Sequence, residues 1–125
     1  MSFDPALVAA WSNGFEPAIR AAGYAPLCID AKEFIGGISD EIMAEIRRSR
    51  FVIADYTQRK SGVYFEAGFA LGLGLPVIAT CRANEIHKLH FDIRHLNTLD
   101  WVKPDDLAVK LIQRISAMIG AGPRV

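Results

Sequence analysis

The sequence predicts an α/β fold: a doubly wound, flavodoxin- or Rossmann-like parallel sheet of four to five strands with helices on both faces. Two observations predict it. Amphipathic segments with apolar spacings of three and four alternate along the chain with short runs that are apolar throughout, "FVIADYT" and "PVIATC", as strands covered on both faces require. The chain is also 125 residues long, enough for one core that needs no metal or disulfide, and residues 1–125 show no linker, repeat or low-complexity segment.

The opening "MSF" has the look of a strand's last residues, so the expectation is either a four-stranded variant or a start inside the first strand. Asp4-Pro5 then caps a helix with Pro at its first position, and Leu7, Val8, Trp11, Phe15, Ala18, Ile19 and Ala22 mark its apolar face up to Gly23. "YAPLCID" is a short strand ending in Asp30. "GGISDEIMAEIRRSR" is a second helix, with Ile38, Ile42 and Ile46 on one stripe, acids early and arginines late. "FVIADYT" is a buried strand ending near Asp55. The helix holding Glu66 follows, broken by Gly72, Gly74 and Pro76, and "PVIATC" is the next buried strand. A polar loop leads to "NTLDW", a short strand, and Lys103-Pro104-Asp105 opens a last helix with Leu107, Leu111, Ile112, Ile115, Met118 and Ile119.

Composition excludes some functions. Fourteen basic and fourteen acidic residues cancel, which leaves no electrostatic footprint for a long nucleic acid. The apolar share is 51%, yet no run is long enough to span a bilayer, so the excess belongs in a core or an oligomer interface. The N-terminus lacks a basic region and does not read as a secretory signal, and Cys28 and Cys81 read as reduced core residues. A cytoplasmic protein without cofactor or membrane partner is expected, and a homodimer or higher homo-oligomer, with part of "HKLHFDIRH" or the helix after Gly62 near the contact.

The chemistry gathers at "GVYFEAGFALGLGLP" (62–76), where Glu66 is the one charge amid Val63, Tyr64, Phe65, Ala67 and Phe69. In open parallel sheets, ligands bind beyond the carboxyl ends of the strands. Asp30, Asp55 and the loop before Glu66 fall there. Together "FVIADYT" and "GVYFEAGFALGLGLPVI" resemble the nucleoside 2-deoxyribosyltransferase family and its nucleotide N-glycosidase relatives, within a TIR-like superfamily, over roughly Phe3 to Ile78; "HFDIRH" and the later Trp are similar to a bacterial subgroup.

The resemblance implies a transferase or hydrolase acting at the N-glycosidic bond of a nucleoside or nucleotide. Glu66, the glutamate of the Tyr-x-Glu-x-Gly motif, takes the place of the nucleophile, and Asp55 that of the residue assisting the leaving base or orienting the nucleophile. The alternative is a TIR-like module that senses nucleotides or cleaves NAD. A carboxylate beneath the sugar can stabilise or trap an oxocarbenium-like centre. A place in the first helical turn would favour its ionised form.

Candidate substrate-binding residues are Ser2, Phe3, Asp30, Lys60, Ser61, Gly62, Tyr64 and Asp92. The loop "QRKSG" (58–62) departs from the family by carrying Arg59, Lys60 and Ser61 where the transferases place an acid or amide, and that suits a phosphate. "GFALGLG" lacks the lysine and spacing of a phosphate loop. His87, His90 and His95 share no spacing that would aim them at one metal, so no metal site is expected. Phe91, Trp101 and Trp11 are candidate stacking or interface aromatics, or core.

Overall fold

A computed structural model describes residues 5–27, 40–57, 61–88, 97–120 and 122. Among these, the elements in order are α1 (Pro5–Ala10), a π-helical stretch (Trp11–Phe15), α2 (Glu16–Ala21), α3 (Asp40–Arg48), β1 (Val52–Asp55), α4 (Ser61–Gly72), β2 (Val77–Arg82), a 3₁₀ stretch (Ala83–Lys88), β3 (Leu99–Trp101) and α5 (Pro104–Met118). The strands form one open sheet in the order β1-β2-β3. Both pairings are parallel, Val52 to Asp55 opposite Val77 to Thr80, and Thr80 to Arg82 opposite Leu99 to Trp101. The predicted neighbouring parallel strands are therefore present, and the described sheet has three strands.

Alternation along the strands assigns the helices to two faces. Ile78, Leu99 and Trp101 are buried together with Phe15, Ala18 and Ile19 of the N-terminal helical segment and with Leu107, Leu111 and Ile115 of α5. Ala54, Ala79 and Cys81, pointing the other way, are buried with Tyr56 and with Ala67 of α4. A third cluster, Ile42 and Ile46 of α3 with Ala70 of α4, extends that second layer. Burial of large apolar side chains at about 25 cal/mol per Å² is what holds these layers together.

The N-terminal helix differs from its 3.6-residue reading. The π-helical stretch Trp11–Phe15 puts more residues into one turn, so the face read from the C-terminal half does not continue into the N-terminal half. Hence Ala10 is fully buried while Val8 is 48% exposed. Gly14 sits in that stretch, packed so tightly on α5 that a methyl group there would lie 2.8 Å from Leu107 Cδ2 and 3.1 Å from the Pro104 carbonyl.

Helix ends follow local chemistry. Gly23 has φ 95°, and the N–H groups of Gly23 and Tyr24 return to the carbonyls of Arg20 and Ile19, the bonding of a Schellman stop. α4 ends the same way, with Gly74 at φ 81° and the N–H groups of Gly74 and Leu75 on the carbonyls of Leu71 and Ala70.

The strand expected over Tyr24 to Asp30 is corrected for its described part, since residues 24–27 form no regular element. Tyr24 is engaged elsewhere: its ring lies edge-on to Phe51 with centroids 5.1 Å apart, and its hydroxyl donates to the Gly120 carbonyl at 2.9 Å. In α5, Leu107, Leu111 and Ile115 are fully buried as expected, whereas Ile112 and Met118 are 37% and 48% exposed, because they lie off the stripe facing the sheet.

Candidate active site at the carboxyl edge of the sheet

Because all three strands are parallel, their last residues, Asp55, Arg82 and Trp101, share one edge. Asp55 ties that edge together. Its Oδ2 accepts from Thr80 Oγ1 at 2.6 Å and from the indole Nε1–H of Trp101 at 3.0 Å, and its Oδ1 accepts from the Thr57 N–H at 3.0 Å. Burial pushes the Asp55 carboxyl above its ordinary range, and the donated bonds from Thr57, Thr80 and Trp101 pull it back. Thr57 returns the link across the sheet: its Oγ1 accepts from the Arg82 N–H at 2.9 Å. Beyond it, the Arg82 guanidinium lies over the Trp101 ring, Cζ 5.3 Å from the centroid.

Glu66 lies on α4, which begins at Ser61 just past this edge. It is the sixth residue of the helix, in the second turn, and the first turn carries no acid. The first-turn placement read from the sequence is thereby corrected, with a chemical consequence. Free backbone N–H groups belong to the first turn, so beyond it the dipole gives little help and burial decides. Burial pushes the Glu66 carboxyl from 4.5 to about 7. Among the described residues no hydrogen bond or ion pair to this carboxylate is found.

Tyr64, two residues before Glu66, turns its ring toward Tyr56, with centroids 4.9 Å apart and planes at 48°. Tyr56 follows Asp55 directly and is fully buried. Burial, and secondarily the neighbouring Tyr64, push its hydroxyl up to about 12, so it is a neutral donor at any ordinary pH. Its oxygen has no hydrogen-bond partner among the described residues.

Asp55, Tyr64 and Glu66 thus come from β1 and the early part of α4, on the two sides of one strand-to-helix connection. Ser61 and Gly62 form the first residues of α4. Ser2, Phe3, Asp30, Lys60 and Asp92 lie outside the described residues, as do Cys28, Phe91, His90 and His95. Arg82, Thr80 and Thr57 were missed in the sequence. A signal was present for Arg82: it is the cation that closes the apolar run "PVIATCR" at the carboxyl end of a buried strand, where ligands of parallel sheets bind.

A groove lined by Asn97, Asp100, Lys110 and Arg114 lies at the amino end of β3, away from this edge, and its cations are spent internally. Lys110 Nζ donates to the Asp100 carbonyl at 2.9 Å, and Arg114 Nη1 to the Asn97 carbonyl at 2.8 Å. Among the described residues no cluster of three or more metal-ligating side chains occurs, and no helix is long and apolar enough to cross a membrane.

Comparison with known proteins finds no matching family model, no matching curated protein and no matching solved structure. Among its described residues the chain is a mixed α/β domain with an open three-stranded parallel sheet, a carboxyl-edge cluster of Asp55, Arg82 and Trp101, and Glu66 on the helix that follows β1.

Proposed function

We propose that the chain cleaves or transfers the N-glycosidic bond of a nucleoside or nucleotide, with the Glu66 carboxylate attacking the anomeric carbon. The observation that carries this reading is Glu66 itself: a lone carboxyl in an apolar helix, pushed up to about 7 by burial and satisfied by no described residue. Burial of a carboxyl costs stability, and such a cost is commonly found where a site uses the group.

In the proposed step the Glu66 oxygen forms a bond to the anomeric carbon as the C–N bond breaks. The base departs with that electron pair and takes up a proton; water or a second base then displaces the carboxylate. Both Asp55 oxygens already accept protein donors, so Asp55 is proposed to orient the edge rather than to shuttle the proton. The reading further includes a doubly wound sheet of four to five strands, a homodimer or larger assembly, and a cytoplasmic protein.

The test is to incubate the protein with deoxynucleosides, nucleoside monophosphates and NAD and to follow free base by chromatography. Base release from a nucleoside or monophosphate supports the proposal. Its rate should rise with pH to a plateau above about 7, because the attacking form is the deprotonated one. Release from NAD alone would move the reading to the TIR-like module, and release from none of them overturns both.

A further inference from the structure

Arg82 has a guanidinium that the fold positions without an acceptor among the described residues. It closes the central strand β2 at the carboxyl edge, and its backbone is fixed by the bond from its N–H to Thr57 Oγ1 at 2.9 Å. Its guanidinium lies over the Trp101 ring, Cζ 5.3 Å from the centroid, while the ion pairs among the described residues involve other cations. Five N–H donors in a planar fork are thus presented at the edge with no protein acceptor found among the described residues.

The platform beneath it is built rather than incidental. Trp101 is fully buried, and its ring is locked edgewise by the bond from Nε1–H to Asp55 Oδ2 at 3.0 Å. Asp55 is in turn fixed by Thr80 and Thr57. The chain leaves Thr57 and starts α4 at Ser61, so the carboxyl edge that carries Arg82 also leads into the amino end of α4. A guanidinium held over a fixed ring suits a phosphate oxyanion, whose oxygens its planar fork of donors can meet two at a time.

We infer that Arg82 is a phosphate-binding residue, presented on the Trp101 ring by the Asp55 network, and that the ligand of this edge is a nucleotide rather than a bare nucleoside. The nucleotide part of this inference rests on the proposed glycosidic function; the phosphate part stands on Arg82. Asp55 acts through Trp101 and is a positioning residue.

Isothermal titration of the wild type with inorganic phosphate, a nucleoside 5′-monophosphate and the matching nucleoside tests it, repeated with Arg82→Gln and Arg82→Lys. The wild type should bind the monophosphate at least about tenfold more tightly than the nucleoside. Arg82→Gln should lose roughly ten- to a hundredfold in monophosphate affinity, as removal of a charge-assisted hydrogen bond does, with nucleoside affinity unchanged. Arg82→Lys should recover part of the loss, since charge returns without the planar fork. Equal wild-type affinity for monophosphate and nucleoside overturns the inference, as does absence of any phosphate or monophosphate binding. So does unchanged monophosphate affinity in an Arg82→Gln protein with native circular dichroism. Phosphate binding that depends on Arg82 without base release from any substrate supports the Arg82 assignment and rejects the glycosidase reading, so the two failures are told apart.

Discussion

Trp101 donates its indole N–H to Asp55 Oδ2 at 3.0 Å, joining the last residues of β3 and β1 across the intervening strand β2. The same oxygen accepts from Thr80 on β2 at 2.6 Å, so one carboxylate ties all three described strands together near their carboxyl ends. The fold at this edge therefore depends on a side chain that accepts three bonds on two oxygens.

Replacing Asp55 by Asn tests that dependence. The amide keeps the shape but supplies one acceptor oxygen, so its NH₂ must face either the Thr57 N–H or the pair of donors from Thr80 and Trp101. Asp55→Asn should lose about 1–3 kcal/mol in urea unfolding, and Asp55→Ala, which strands every donor, more than Asn. A loss below about 0.5 kcal/mol for Asn, at the level of an ordinary surface change, would contradict the network's role.

Glu66 gives a prediction of opposite sign. The folded carboxyl holds its proton up to about 7, whereas the unfolded one releases it near 4.5. Between those values the folded state binds more protons, so the stability Glu66 allows is full below about pH 4.5 and falls as pH rises toward 7. Glu66→Gln removes the burial penalty of the charge. Its melting temperature should exceed that of the wild type at pH 8, and the difference should shrink at pH 5. A variant less stable than wild type at pH 8 would show that Glu66 is a structural surface acid.

Two glycines should respond in opposite ways to alanine. Gly14 is packed against Leu107 and the rigid Pro104 carbonyl, so Gly14→Ala should destabilise by about 1–3 kcal/mol through overpacking. Gly68 stands on the exposed side of α4 with no atom within 4 Å of an added methyl group. Gly68→Ala should gain about 0.5–1 kcal/mol, the helix-propensity difference, when melting is followed at low micromolar concentration. A loss there would instead place a packed neighbour on the face of α4 that carries Phe65 and Leu71, 51% and 48% exposed in the isolated chain.

How much of this was legible in the sequence follows from the range of each interaction. β1 and β2 could be read because strands covered on both faces need continuous apolar runs, and "FVIAD" and "VIATC" supply them. The π-helical stretch could not, since Phe15, Ala18, Ile19 and Ala22 keep a regular helical spacing past it; among the described side chains, the outward turn of Val8 marks the change. Glu66 was recognisable as an anomaly, an acid in an apolar helix. Its charge state was not, because that depends on where α4 starts, and Ser61 as the first residue moves Glu66 out of the first turn. The Asp55 network joins residues 25 and 46 positions apart, and parallel register rather than local pattern brings them together.

The central claim is that the Glu66 carboxylate carries out the bond cleavage, and the direct measurement is base release by Glu66→Gln on a substrate that the parent protein cleaves. Glutamine has nearly the shape of glutamic acid and no nucleophilic oxygen, so binding should stay within roughly tenfold of wild type while turnover falls about a thousandfold or more. The wild-type rate should climb with pH to its plateau above about 7, the range to which burial has moved this carboxyl. Base release at the wild-type rate in Glu66→Gln would contradict the account.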